Sequence, residues 1–462
     1  MRILLACFAL GLSFTAHADA KVPPALAAKI DAIATDALKQ SGVPSVSIAV
    51  VSGGEIVYSH AYGDARLQPE TPATQAMRYG IGSISKQFAA AAVLLLQQQG
   101  KLSLDDKLSK YFPDLTEAND ITLRQLLSHT SGYQDYWPQD YVMPAMLQPT
   151  TPQRIMDGWA KRPLDFAPGS KWQYSNTGYV IIGAVIEKVT GEPLFEFLQL
   201  NVLAPAGIAD AYDIDRAALP DADARGYTRF ALGPLHPAPQ AGPGWIFAAA
   251  ELAMTAQDLA RWDISVLRQS LLQPASYHAM ETEVVLHDGL GSQYGLGTHV
   301  GNMAGRRVIS HDGEISGFTA TNVVFPDEDA AVVVLTNQDA VDASGDIASD
   351  IAQALFDSQD ATAGDALKRA RAIFDDLQHG RIDRSLFTAN GNAYFSVVAR
   401  RDYADSLGPL GTPEGFKEKA WRLRGGMTMR SYEIDFPNRK LDLVTYAMPD
   451  GKLEQYIVSP AN

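Results

Sequence analysis

Gly80-Ile81-Gly82-Ser83-Ile84-Ser85-Lys86 is the stretch on which the reading of this chain turns. It closes a hairpin-rich N-terminal region and opens an apolar segment, Gln87 to Gln99, that predicts a buried helix stopping at Gly100. Ser83 then stands at a helix start, where unpaired backbone N–H groups and the positive end of the helix dipole favour a developing negative charge. Lys86 follows three residues on and returns to the same face one turn later. A lysine that loses its proton on burial can take the proton of a serine hydroxyl, so the pair reads as nucleophile and base. The same spacing also occurs as a solvated surface pair. Its setting between glycines and an apolar helix favours the chemical reading here.

Outward from this stretch, Ala25 to Gln40 has helical periodicity and closes at Gly42. Val46 to Val51 and Ile56 to Tyr62 read as strands joined by a Ser52-Gly53-Gly54-Glu55 turn. Beyond Gly100 the chain turns helical. Ile121 to Leu127 predicts a short capped helix ended by Ser128-His129-Thr130-Ser131-Gly132. Tyr133, Tyr136, Trp137 and Tyr141 follow in one loop, suited either to lining a pocket or to packing. Strand character returns at Tyr294–Val300, Arg306–Ser310, Thr319–Phe325 and Ala331–Asn337, before a helix at Ile347–Phe356. The pattern is α/β: a sheet begun near residue 46 and finished near 337, with helical sequence inserted between. Such a sheet leaves a cleft at the junction. Residues 358–364 read as a linker. Residues 365–462 read as a small α+β accessory domain, with helices near 365–378, 386–400 and 413–421 before three strands.

Residues 1–20 read as a cleavable signal: Arg2, an apolar run from Ile3 to Phe14, then Ala18-Asp19-Ala20. The expected location is therefore periplasmic or secreted, with the main domain over 21–357. The single cysteine, Cys7, falls in this leader, so the mature chain is expected to lack disulfides. No other stretch is long and apolar enough to span a bilayer. A net charge of −15 argues against nucleic acid or an anionic membrane as partner. No metal-ligand spacing and no complete dinucleotide loop occurs, so no cofactor and no metal are expected. Oligomeric state is not legible.

Two further elements carry chemistry. In Tyr174-Ser175-Asn176, a tyrosine beside a cation can be pushed toward phenolate and shuttle the serine proton to a leaving group. Asn176 offers a donor and an acceptor to an amide-like substrate. His311-Asp312-Gly313 is expected at a strand end beside the cleft. His287-Asp288-Gly289 competes with it but has no strand leading in.

Together, Ser83-x-x-Lys86, Tyr174-x-Asn176 and His311-Asp312-Gly313 resemble the class C β-lactamases and their relatives. Those relatives are D-alanyl-D-alanine carboxypeptidases, D-aminopeptidases and esterases of the same fold. The resemblance covers about residues 25 to 357 and takes in Ile121–Gly132, Phe166-Ala167-Pro168-Gly169 and Tyr294-Gly295-Leu296-Gly297. It implies an antiparallel sheet flanked by helices with an inserted all-helical domain. It implies an acylated Ser83, with Lys86 and Tyr174 sharing base and acid work and Asn176 holding a substrate carbonyl or amide. It also implies an oxyanion hole from the backbone N–H groups of Ser83 and Glu314, the residue after Gly313. Many β-lactamases have Lys-Thr-Gly where this chain has His311-Asp312-Gly313. Asp312 removes a hydroxyl that could hold a carboxylate, which argues against efficient β-lactam hydrolysis. The implied activity is hydrolysis of amide or ester bonds in small or short-peptide substrates, D-amino-acid derivatives and cell-wall fragments among them. The alternatives are a true class C-type β-lactamase, or a non-catalytic penicillin-recognising sensor or scaffold.

Overall fold

The computed structural model describes residues 22–461 except 140, 304, 360 and 361. The expected leader, residues 1–20, lies outside the described residues. Among the described residues, no helix is long and apolar enough to cross a membrane.

The first helix, α1 (Pro24–Ser41), ends at Gly42 in the left-handed conformation and leads into β1 (Ser45–Ser52) and β2 (Glu55–Leu67). A short β3 (Glu70–Pro72) extends the edge. Ser83 lies in a single 3₁₀ turn, Gly82–Ile84, that runs into α2 (Ser85–Gln98). Helix α2 is buried on nearly every side, and Ala89 to Ala92 let its neighbours approach closely. The inserted region carries α3 (Leu123–Leu127), opened by a Thr122/Gln125 capping box, α4 (Asn176–Thr190) and α5 (Ala256–Leu267). The chain then returns to the sheet with β4 (His299–Met303), β5 (Arg306–Ile315), β6 (Phe318–Phe325) and β7 (Ala330–Thr336), and closes with α6 (Ala343–Gln359).

These strands form one antiparallel sheet in the order β3-β2-β1-β7-β6-β5-β4. The first and last parts of the domain meet at its centre, where Val46 pairs with Thr336. β1 and β7 are buried on both faces, so they read as continuous apolar runs with no alternation. Helices α1 and α6 cover one face over a core that includes Ile30, Ile48, Val334 and Ile351. The inserted helices cover the other over a larger core that includes Phe88, Leu126, Ile182 and Trp262.

Several expectations are corrected. Residues 294–298 are not strand, and β4 begins only at His299. Strand β5 runs on to Ile315, so His311 lies inside a strand and not at its end. After α7 (Ala363–Gln378), the expected helix at 386–400 is broken into Ala389–Tyr394 and Val397–Leu407. The Ser396 hydroxyl accepts the Ala399 N–H and restarts the second piece. Residues 413–421 are not helical. They belong to β8 (Gly415–Arg424), first of a four-stranded antiparallel sheet with β9 (Met427–Phe436), β10 (Arg439–Ala447) and β11 (Leu453–Pro460). A register shift between Glu418 and Ala420 breaks the two-residue alternation that would have marked β8 in the sequence. The stretch expected as a linker, 358–364, is helical at both ends, in α6 and α7.

Candidate active site

The sheet edge at β5 faces the inserted helices across a cleft of about 920 Å³. Ser83, Tyr174, Asn176, His311, Gly313 and Glu314 all line it. Lys86 lies buried beneath. Two glycines let the sheet reach the serine turn. A Cβ on Gly313 would lie 1.9 Å from the Ile81 carbonyl oxygen, and one on Gly82 would lie 2.7 Å from the Glu314 backbone nitrogen. Gly82 also has φ +51°, which disfavours a side chain there. The backbones that carry Ser83 and Glu314 are thus in direct contact. Pairing between β5 and β4 stops at Ser310–His299. From His311 to Ile315, β5 pairs with β6 alone among the described residues, so its other side is turned to the cleft.

The Lys86 ammonium nitrogen lies 2.9 Å from the Ser83 hydroxyl, 2.9 Å from Asn176 Oδ1 and 2.9 Å from the Ala249 carbonyl. Burial lowers its pKa to about 7, against the opposing pull of Asp135. As a free amine, Lys86 can donate to Asn176 and Ala249 and turn its lone pair to the serine proton. The Tyr174 side chain lies near Ser83 on the cleft lining, and Lys86 lies 4.8 Å from the Tyr174 ring centre. The push of Tyr174 toward phenolate expected from the sequence is not found. Burial outweighs the opposing influence of nearby Ser83 and holds the phenol well above its ordinary pKa. The resting tyrosine therefore carries its proton.

His311 is likewise buried and its pKa is lowered well below the ordinary value, by desolvation first and then by Lys86 and His299. Its Nδ1 lies 2.6 Å from the Asp312 carbonyl, which can only accept, so the ring proton sits there. Nε2 then accepts from the Tyr294 hydroxyl at 2.8 Å. Asp312 is exposed on the cleft wall, and its Oδ1 accepts the hydroxyl of Thr321 across the strand pair at 3.0 Å. It thus faces the cleft and is tethered to the neighbouring strand at once. His287, the competitor, is exposed and packs on Gly169, apart from the cleft lining.

Sequence reading missed two residues of the loop after α3. Asp135 accepts from the Asn176 backbone N–H at 3.1 Å and side-chain amide at 3.2 Å. Burial raises its pKa despite these donors and Lys86. His129 packs against Tyr174. Neither residue belongs to a local spacing pattern. The signals were, for His129, its place in the Ile121–Gly132 stretch that shares in the family resemblance and, for Asp135, a loop dense in aromatic and polar residues. In the same loop, Tyr133 is core, Tyr136 is buried but reaches the cleft, and Trp137 and Tyr141 line the cleft. Five acidic residues, Asp135, Asp312, Glu314, Asp339 and Asp342, line this cleft, and no Lys or Arg among the described residues does; burial raises the pKa of Asp135, Asp339 and Asp342. Among the described residues, no group of three or more His, Cys, Asp or Glu is placed to hold a metal ion.

A serine turn, a buried lysine and a sheet edge held together in this way define a class of acyl-transfer enzyme. Residues 30–355 match the family model described as Beta-lactamase, and the chain belongs to that family of serine hydrolases. It is 26% identical over 313 residues to penicillin-binding protein 4* of Bacillus subtilis, covering 63% of this chain and 68% of that one. It is 29% identical over 303 residues to a D-aminopeptidase of Brucella anthropi, covering 64% of this chain but only 56% of that one. The octameric penicillin-binding protein homologue of Pyrococcus abyssi shares the fold over 94% of this chain and 96% of its own, at a TM-score of 0.62 and 21% identity.

Proposed function

We propose that this chain is a secreted or periplasmic hydrolase that cleaves amide or ester bonds through an acyl-enzyme on Ser83. Its favoured substrates carry an amine close to the scissile carbonyl, as D-amino-acid amides and esters do. The observation that carries this reading is a Ser83–Lys86 pair at 2.9 Å in a cleft whose lining includes five acidic residues and, among the described residues, no lysine or arginine.

Attack begins when the free amine of Lys86 takes the Ser83 proton as the hydroxyl oxygen bonds to the carbonyl carbon. The developing oxyanion is held by the backbone N–H groups of Ser83 and Glu314. Tyr174, still protonated at rest, gives its proton to the leaving amine or alcohol and recovers one from Lys86. Water then repeats the sequence on the ester. Asn176, oriented by Asp135, holds Lys86 and presents an amide face to the substrate. The acidic wall attracts an ammonium and repels a carboxylate. One such charge contact in a partly dry cleft is worth on the order of 1–4 kcal/mol. Likeness to a D-aminopeptidase supports the amine preference and the D configuration. Likeness to penicillin-binding protein 4* supports binding of penicillins.

A panel of D- and L-alanine p-nitroanilides, their N-acetyl derivatives and nitrocefin tests this. The free D-amine should exceed its N-acetyl form in kcat/KM by about tenfold or more, with the gap narrowing as salt rises. Ser83→Ala should abolish turnover and labelling by a fluorophosphonate. A preference for nitrocefin, or turnover without Ser83, would overturn the proposal.

A further inference from the structure

Resting on the proposed use of Tyr174 in proton transfer, we propose that His129 is the positioning residue that fixes where the Tyr174 hydroxyl stands. Helix α3 ends at Leu127, and two residues later His129 adopts a left-handed backbone, φ +60°. That conformation is uncommon outside glycine, and histidine is among the residues that enter it most readily. The turn sets three contacts on one short stretch. The His129 carbonyl accepts the Gln173 N–H at 3.0 Å. Its Nδ1 accepts the Ser175 N–H at 3.2 Å. Its ring lies against the Tyr174 ring, with centres 4.2 Å apart and planes 33° from parallel. The residues on both sides of Tyr174 and the tyrosine ring itself are therefore held by one side chain and its own backbone.

The same bonds settle what His129 does not do. Because Nδ1 accepts, the ring proton is on Nε2. Nε2 is buried and meets no hydrogen-bond partner among the described residues. His129 is also absent from the cleft lining. It has no acceptor to pass a proton to and no contact with a substrate, so it is a positioning residue and not a catalytic one. Burial, and after it the neighbouring Lys86 and the other two histidines, disfavour the imidazolium that would lose the Ser175 bond. The surrounding rings of Tyr179 and Tyr294, at 5.3 and 4.8 Å, leave the imidazole little room to turn away.

Two variants separate the contacts. His129→Asn tolerates the left-handed backbone and can still accept the Ser175 N–H, but loses the ring. His129→Phe keeps a ring and loses the acceptor. Acylation by an activated D-alanine ester is measured for each, alone and combined with Tyr174→Phe. Each single variant should lower kcat by about tenfold or more with KM little changed, and should add almost nothing once Tyr174 lacks its hydroxyl. Equal losses in the wild-type and Tyr174→Phe backgrounds would show a merely structural role and overturn the proposal. If Tyr174→Phe itself costs nothing, the role given to Tyr174 above is what fails. The positioning is then judged by ¹⁹F NMR of 3-fluorotyrosine at 174. One sharp resonance that broadens or splits in both His129 variants supports the clamp, and an unchanged line refutes it.

Discussion

Lys86 has to be a cation at one moment and a base at the next, and its surroundings suit both. Three acceptors at hydrogen-bond distance fit the ammonium, and complete burial disfavours the charge enough to bring its pKa to about 7. The free amine is the form that can take the serine proton. The rate of Ser83 acylation is therefore expected to climb through pH 7 and level off above it, read as fluorophosphonate labelling against pH. Lys86→Arg keeps a charge but has no free base in that range. It should lower the rate by about 10²–10⁴-fold and flatten the profile. A wild-type profile flat from pH 6 to 8 would count against Lys86 as the base. At this scale the sequence was informative where chemistry is local. Ser83 and Lys86 are three residues apart on one turn, so their spacing, with the glycines and the apolar helix around it, singled them out as candidates. Asp135 and His129 act on residues about 40 positions away. No window of sequence contains that relation.

At the scale of elements, the approach of β5 to the serine turn is the feature most exposed to a small change. Gly313→Ala puts a methyl group where the Ile81 carbonyl now lies. The strand must move off the turn, which should destabilise the domain by about 1–3 kcal/mol and cost more in acylation than in stability. Thermal melts beside labelling rates check this, and an alanine variant with wild-type labelling would show that the contact does not hold the site. Behind β5 runs a buried polar chain: Trp262 donates to Gln87, Gln87 to Asn322, and Asn322 to Asp263. The second Asp263 oxygen has no hydrogen-bond partner among the described residues, and burial raises the pKa of this carboxyl to about 8. The folded state holds a proton there that the unfolded chain releases near pH ~4. Stability from this group is thus full at low pH and falls as pH rises to about 8, at no more than about 1.4 kcal/mol per pH unit. Asp263→Asn keeps the acceptor and should remove that fall, seen as a smaller drop in Tm between pH 5 and 9. The helices around this sheet were legible from periodicity and caps. Strand β8 was not, because its bulge and its Lys417-Glu418-Lys419-Ala420 composition mimic a helix. Residues 294–298 were not, because apolar, glycine-punctuated loops share the composition of strands.

For the molecule as a whole, we propose that residues from α7 onward form a separate unit. Their core, including Phe374, Phe416, Ile434 and Tyr456, is distinct from the two that sandwich the main sheet. Among the described residues, none beyond Ser344 lines the cleft. A chain ending at residue 360 should remain soluble and label at Ser83. Its melting point should fall slightly, since the contact of the Arg306 guanidinium with the Trp421 ring, about 0.5–2 kcal/mol, is lost. A folded truncation that fails to label would show that this unit completes the site. The proposed division into a main domain and an appended unit rests on a change of composition near residue 360. How the last unit rests on the first was not legible there, because it depends on single side chains from distant strands.

One of those side chains offers a spectroscopic handle. The Arg306 guanidinium lies between two rings, 4.1 Å from Phe356 and 4.7 Å from Trp421. Trp421 is the last of six tryptophans, and the other five all precede residue 263. With those five replaced by phenylalanine in a folded chain, its emission becomes a continuous signal of contact between the two units. A red shift on dilute denaturant, ahead of any loss of Ser83 labelling, would time undocking separately from unfolding.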